Sequence, residues 1–368
     1  MNTCANAVEA ATGTSRPGEE SRQSGGFGLG EDEADRAGRR GRRVTAADVA
    51  RVAGVSRVAV SRSFTPGASV SDAIRDRVIA AARTLGYRPN AFARQLNRDR
   101  SELVAFVAGF IDNYYYAVFF DRLLNELQTR GWRTLYVHVG AGGDAVEALA
   151  QASEYPVACT IVAAGSLDVD AIAALRAMGP VILAGPASAL PDADAVSSDG
   201  GRGMALVVDH LVGRGRRRLA CISGPASLAS ARERAEAFGT ALAGHGLAPA
   251  GIVHTDFTEP GGVEGMRRLL DAYGPPDAVV CGNDAIAFGV LNLLRAETAL
   301  AVPGDIAVTG FDDTAPAAWP LIALTTVASP LDRRIAAICD LLDRRVADPD
   351  APALRIRIEP HLVVRATG

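Results

Sequence analysis

The sequence predicts two folded units of different class: an all-α helix-turn-helix module over 44–89 and an α/β domain over 103–368. Short capped helices with apolar stripes fill 44–86, and from Leu103 apolar runs alternate with helically spaced stretches. Charge is segregated to match. Between Gly41 and Arg100, 12 Arg face 4 acidic residues, a net of +8. From Ser101 onward 21 Arg face 31 acidic residues, a net of −10, and the first 40 residues carry −2. A small basic module on an acidic body is the electrostatic footprint of a nucleic-acid binder.

Residues 1–43 are rich in Gly, Ser, Glu and Arg and nearly lack large apolar side chains. Such a composition does not offset the entropy of ordering, so a disordered N-terminal extension is expected. GGFGLG at 25–30 lacks GxGxxG spacing and follows no strand, so it is no phosphate loop. Arg39, Arg40, Arg42 and Arg43 either add nonspecific phosphate contacts or belong to a solvated tail.

Thr45 can cap the first helix, with Asp48 adding negative charge to its first turn and Val49, Ala50 and Ala53 forming an apolar side. Gly54-Val55 breaks it, and Ser56 caps a second short helix through Val60 and Phe64. A third helix is capped at Ser71, carries Ile74, Val78, Ile79, Ala82 and Leu85 as its stripe, and ends at Gly86. Two helices joined by a tight glycine turn form a helix-turn-helix, whose second helix enters the major groove. Arg57 and Val58 open that helix. Arg reads guanine O6/N7 with two hydrogen bonds or else holds a phosphate; Val can touch only a thymine methyl. Asn90 can cap a segment over 90–97 that is too short to be a stable helix alone.

The runs LVAFVAGF, TLYVHV, CTIVAAG, VILAG, LACISG, AVVCG and IAVTGF, alternating with helical stretches, predict parallel sheets covered by helices on both faces. Ligands bind such sheets beyond the C-terminal strand ends. Tyr114-Tyr115-Tyr116 falls in the loop after the first run, Asn283 follows AVVCG and Asp312 follows IAVTGF. Amides, carboxylates and Arg converging on one cleft suit vicinal hydroxyls, and aromatic faces such as Phe257 suit sugar rings or bases. Near the C-terminus, SPLDRRIAAICDLLDRRVAD reads as one amphipathic helix with Leu331, Ile335, Ile338 and Leu342 on a face, and LRIRIEPHLVVRATG as a strand.

Several classes are disfavoured. The five Cys (Cys4, Cys159, Cys221, Cys281 and Cys339) show no CxxC spacing and read as reduced thiols. No apolar run reaches the roughly 20 residues of a membrane span, and no basic start precedes an apolar core, so the expectation is a cytoplasmic protein. GxSxG, HExxH and P-loop motifs are missing, and the five His show no metal-ligand spacing. No catalytic residue, metal or cofactor is therefore expected.

In their order, DVARVAGVS, VSR, LGYRPNAFARQL, ISGP, SARERAEAF, GNDAIAFGVL, VPGDIAVTGFDD and LTTV resemble LacI-type (LacI/GalR family) transcriptional regulators, over about 44–364. Ala59 stands where members usually have Thr, and Asn113-Tyr114-Tyr115-Tyr116 where they commonly have Asn-Pro-aromatic-aromatic. The resemblance implies a two-lobed periplasmic-binding-protein-like effector domain, with crossovers near 195–198, 324–327 and 356–360. It implies DNA contacts from Thr45, Ser56, Arg57, Val58, Ser61 and Arg62. A hinge helix and linker over 90–102 would place Asn90, Ala93 and Arg94 against the minor groove and insert Leu96 as a wedge. Effector contacts would come from Tyr115, Tyr116, Asp199, Arg232, Arg234, Phe257, Asn283 and Asp312, while Asp284 and Asp313 read as structural. The implied protein is a homodimeric repressor on near-palindromic double-stranded DNA, controlled by a small molecule: a sugar or related metabolite, or equally a nucleoside. A solute-binding receptor for transport fits the lobes but neither 44–96 nor the missing export signal.

Overall fold

The computed structural model describes residues 44–65, 67–88, 101–109, 113–139, 154–163, 169–186 and 192–368. The disorder expected over 1–43 and the hinge segment with Asn90, Ala93, Arg94 and Leu96 lie outside them. The described residues form two units, 44–88 and 101–368.

In the first unit, α1 (Ala46–Ala53) starts at a reciprocal capping box. The Asp48 N–H donates to Thr45 Oγ1 at 3.4 Å, and the Thr45 N–H donates to Asp48 Oδ2 at 3.0 Å. Gly54 ends the helix with φ +64°, a left-handed conformation glycine adopts without a Cβ penalty. Ser56 Oγ accepts the Ala59 N–H at 3.1 Å and so starts α2 (Arg57–Ser63) within three residues of that turn. The third helix, α3 (Asp72–Leu85), has Ser71 at its N-cap position without a side-chain capping bond, and ends at Gly86. Val49, Val60 and Val78 are fully buried between the three helices, at about 1.5–3 kcal/mol each. The Phe64 and Tyr87 rings close one end, 6.0 Å between centroids.

The second unit holds two six-stranded sheets. The first comprises β1 (Leu103–Ala108), β2 (Arg133–His138), β3 (Cys159–Ala163), β4 (Val181–Ala184), β5 (Asp194–Ser198) and β11 (Arg355–Ile358), in the order β11-β5-β4-β3-β1-β2 and all parallel. The second comprises β6 (Leu219–Ser223), β7 (Gly251–His254), β8 (Ala278–Cys281), β9 (Ala307–Phe311), β10 (Thr325–Ala328) and β12 (His361–Val363), in the order β12-β10-β9-β8-β6-β7. Strands such as β1 and β6 are buried at every residue, as sheets covered on both faces require.

Helices α4 (Tyr114–Thr129), α5 (Val169–Met178) and α10 (Leu331–Ala347) accompany the first sheet, and α6 (Gly200–Gly213), α7 (Ala229–Gly244), α8 (Glu259–Tyr273) and α9 (Asp284–Glu297) the second. The chain leaves the first sheet after β5 and returns after β10, through Ser329-Pro330 into α10. It crosses again between β11 and β12. Ile335, Ile338, Cys339, Leu341 and Leu342 of α10 join Phe106, Ile161 and Ile182 in one core. At the other end of α10, Arg345 pairs with the buried Asp194 at 2.7 Å.

The single strand expected over LRIRIEPHLVVRATG is two strands. Pro360 has no N–H to continue a ladder, so the chain changes sheets there, and β12 runs antiparallel to β10. Cys159, Cys221, Cys281 and Cys339 are buried free thiols, and burial pushes Cys159, Cys221 and Cys339 up to about 12. Among the described residues no helix is long and apolar enough to cross a membrane.

Candidate functional site

Helix α2 has two unlike faces. Val60 and Ser63 turn inward, while Ser56, Arg57, Val58, Ser61 and Arg62 are exposed. A valine 59 % exposed beside two arginines without an acidic partner among the described residues is costly to leave in water and suited to a groove. Thr45 is exposed at the start of α1, its hydroxyl donating to Asp48 at 2.7 Å. Arg75 ties α3 to the end of α2 by donating to the Ser63 carbonyl at 2.9 Å. These bonds fix the outer face of α2 on its module.

In the two-sheet domain a cavity lies between the lobes at the C-terminal strand ends. Asn113 caps α4 by accepting the Tyr115 N–H at 3.0 Å. That cap draws Tyr114-Tyr115-Tyr116 into the first helical turn, where a loop was expected. Tyr115 and Tyr116 line the cavity with their rings edge-on, 5.4 Å apart, whereas Tyr114 is exposed outside it. Burial raises the pKa of both lining phenols, so they stay protonated and can donate.

Asn283 caps α9, accepting the Ile286 N–H at 2.9 Å, and donates from Nδ2 to the Phe257 carbonyl at 3.3 Å. Asn113 donates to that same carbonyl from the opposite lobe, also at 3.3 Å. Phe257 thus lines the cavity with its ring while its backbone is held from both sides. Arg234 lies 3.6 Å above the Phe311 ring centroid, donates to the Gly282 carbonyl and approaches Asp312 at 3.8 Å. Gly203 makes room for that ring: a Cβ there would meet Phe311 Cε2 at 2.6 Å. Asp312 has φ +120°, a conformation L-residues rarely adopt. Burial pushes its carboxyl up to about 6, against the pull of Arg234 and Arg334.

Two expected contact residues are turned away. Asp199 caps α6, accepting the Arg202 N–H at 2.9 Å, and lies 3.6 Å from Arg357. Arg232 donates to the carbonyls of Ala226 at 2.8 Å and Ser227 at 2.7 Å, and lines a separate groove beside β11. Arg232 and Arg234 are two residues apart on one helix, about 200° around it, so both cannot face the cleft. Asp284 is fully buried and accepts from the Thr314 N–H at 2.7 Å, the Thr314 hydroxyl at 2.9 Å and the Thr326 hydroxyl at 2.5 Å. Asp313 pairs with Arg365 at 2.7 Å.

Phe119, Phe311, Ser198, Ser329 and Arg334 also line the cavity and were not singled out from sequence. Arg334 did leave a signal. It stands three residues after Leu331 and four before Ile338, a charge on an otherwise apolar stripe.

A helix-turn-helix module preceding a two-lobed domain with a polar, aromatic-lined cleft defines a ligand-responsive DNA-binding regulator. The chain belongs to the lacI family of bacterial regulatory proteins. The family model matches residues 45–90, and a periplasmic binding protein-like domain matches 208–367. The ribose operon repressor of Escherichia coli (strain K12) is 31 % identical over 326 residues, covering 86 % of this chain and 98 % of that one. The HTH-type transcriptional regulator CelR of Thermobifida fusca is 30 % identical, over 86 % of this chain and 96 % of that one. The lac repressor dimer bound to operator and the anti-inducer ONPF superposes with a TM-score of 0.78 at 26 % identity, covering 89 % of this chain and 99 % of that one. A complex of CelR with cellobiose gives 0.67 at 29 % identity, covering 89 % and 100 %.

Proposed function

We propose that this regulator is a dimeric repressor whose hold on a near-palindromic operator is set by a sugar or related polyhydroxy metabolite seated between its lobes. The observation that carries the reading is the convergence of Arg234, Asn283 and Asp312 with Phe257, Phe311, Tyr115 and Tyr116 on one cavity. Donors, an acceptor and ring faces in one cleft are what a polyhydroxylated ring needs. The sugar complexes and sugar-operon names among the relatives support it.

In this reading Arg57 and Val58 meet base edges, and Thr45, Ser56, Ser61 and Arg62 hold backbone and neighbouring positions. Asn90, Ala93, Arg94 and Leu96 form a hinge over the minor groove, within a 90–102 linker between a 44–89 DNA-binding domain and a 103–368 effector domain. The protein acts in the cytoplasm by binding rather than catalysis, and effector and operator are coupled by ~1–3 kcal/mol through the angle between lobes.

The test is selection of bound duplexes from a random pool by the full-length protein, then release of the selected duplex by added sugars. A two-fold symmetric site that a sugar shifts supports the reading. An enriched site that no small metabolite affects overturns the effector half of it, and no enrichment at moderate salt overturns the operator half.

A further inference from the structure

The charges lining the cavity are unequally matched. Glu233 pairs outward with Arg357 at 2.8 Å, and Asp312 faces Arg234 at 3.8 Å. Arg334 is left over. It is 8 % exposed and, among the described residues, has no carboxylate within ion-pair distance; Asp312 acts on it only through space. Its Nη1 donates to the Tyr115 hydroxyl and its Nη2 to the Ala184 carbonyl at 3.3 Å, but its Nε–H finds no acceptor.

Two hydroxyls lining the same cavity, Ser198 Oγ and Ser329 Oγ, are likewise buried without a hydrogen-bond partner. Pro330, at the N-cap position of α10, supplies no side-chain capping bond, so the positive end of that helix lies beside Arg334 in its first turn. The other buried charges of this domain are answered: Asp194 by Arg345 at 2.7 Å, and Asp284 by the hydroxyls of Thr314 and Thr326. Burying a cation without a direct ion-pair partner is costly, and so is burying unpaired hydroxyls. The clustering of all three on one cavity between the lobes points to a partner that arrives from outside.

We infer that the effector carries an anionic group, a carboxylate or a phosphate, which seats against Arg334 and accepts from Ser198 and Ser329. Its hydroxyl-bearing part lies against Asp312, Asn283 and Arg234. The guanidinium fork presents N–H groups in the geometry a carboxylate or phosphate accepts. The inference rests on the effector reading above and narrows it from sugars in general to sugar acids or sugar phosphates.

The test is calorimetric titration of the full-length protein with D-glucose and D-ribose, with D-gluconate and D-glucuronate, and with D-glucose 6-phosphate and D-ribose 5-phosphate. An acidic compound is expected to bind at least tenfold tighter than its neutral parent; whether carboxylates or phosphates gain identifies the source of the charge. Arg334→Met keeps the stem, removes the charge and should erase that advantage, while Arg334→Lys should retain part of it. Neutral parents binding as tightly as the acids, or unchanged acid binding by Arg334→Met, overturns the inference and leaves the sugar reading standing. No binding by any of the six compounds overturns both.

Discussion

Arg357 of β11 and Glu233 of α7 form an ion pair at 2.8 Å that joins the two lobes outside the cavity. Glu233 also lines the cavity and precedes Arg234, so an ion pair between the lobes sits one residue from a cavity-lining guanidinium. Both side chains are partly solvated, which limits the pair to about 0–1 kcal/mol. Arg357→Ala should weaken effector binding by no more than about fivefold and leave the melting temperature nearly unchanged. Raising salt should bring the wild type toward the variant. Calorimetry at two ionic strengths checks both, and an unchanged affinity would remove the pair from the ligand response.

Asp312 and Arg234 act from the second lobe. Asp312→Asn should keep the fold, since Asn tolerates positive φ better than most residues, yet it loses the carboxylate proposed to accept from ligand hydroxyls. Truncating a charged hydrogen-bond partner costs about 1.5–3 kcal/mol, so effector affinity should fall about 10–100-fold. Arg234→Ala should do the same and also free the Phe311 ring. Operator affinity without effector should stay within about twofold of wild type, because the two sites lie in separate units. Anisotropy titration of labelled operator with and without effector reads both numbers.

The buried carboxyls give a pH dependence of definite sign. Burial pushes Asp312 up to about 6 and Asp284 up to about 7, both above the ordinary carboxylate value. A group whose folded pKa is raised contributes stability that is present below its unfolded pKa and lost as pH rises through the folded one. Asp312 is held down by Arg234 and Arg334; Asp284 is raised further by Asp312 and lowered by the hydroxyl of Thr326 and by Thr314. The unliganded protein should therefore be more stable near pH 5 than near pH 8, with Asp312 contributing on the order of 1 kcal/mol between those two pH values. Asp312→Asn should flatten that slope in thermal melts. Effector binding should tighten across the same window as the carboxylate ionises, and a melting temperature independent of pH would refute the assignment.

Much of this was legible in the sequence for physical reasons. Caps and glycines announce helices locally, and so Thr45, Ser56, Gly54 and Gly86 fall where the capping pattern put them. Parallel strands buried on both faces read as unbroken apolar runs, and residues just beyond them, such as Asn283 and Asp312, reach the cavity. What sequence did not reveal was direction. Arg232 and Arg234 look alike in a string but lie on different sides of α7, and Asp199 is consumed by its own helix cap. Arg334 reaches the cavity from α10, 100 residues beyond Arg234 of α7, a proximity set by the chain's return after β10 and invisible to any local pattern.

In the proposed reading the exposed face of α2 separates base reading from backbone holding. Arg57 and Val58 open the helix and Arg62 lies more than one turn on, all exposed. A side chain bidentate to guanine discriminates by about 1–3 kcal/mol at one position, whereas a phosphate contact strengthens all sequences alike. Arg57→Ala should relax preference at a single position in each half-site while leaving the salt dependence of nonspecific binding nearly intact. Arg62→Ala should weaken every duplex and reduce the slope of log affinity against log salt by about one unit. Titrations of the selected operator, its single-base variants and a scrambled duplex at several salt concentrations distinguish the two. If Arg57→Ala instead lowers the slope and keeps the base preference, Arg57 is a phosphate contact and the guanine reading belongs elsewhere on the helix.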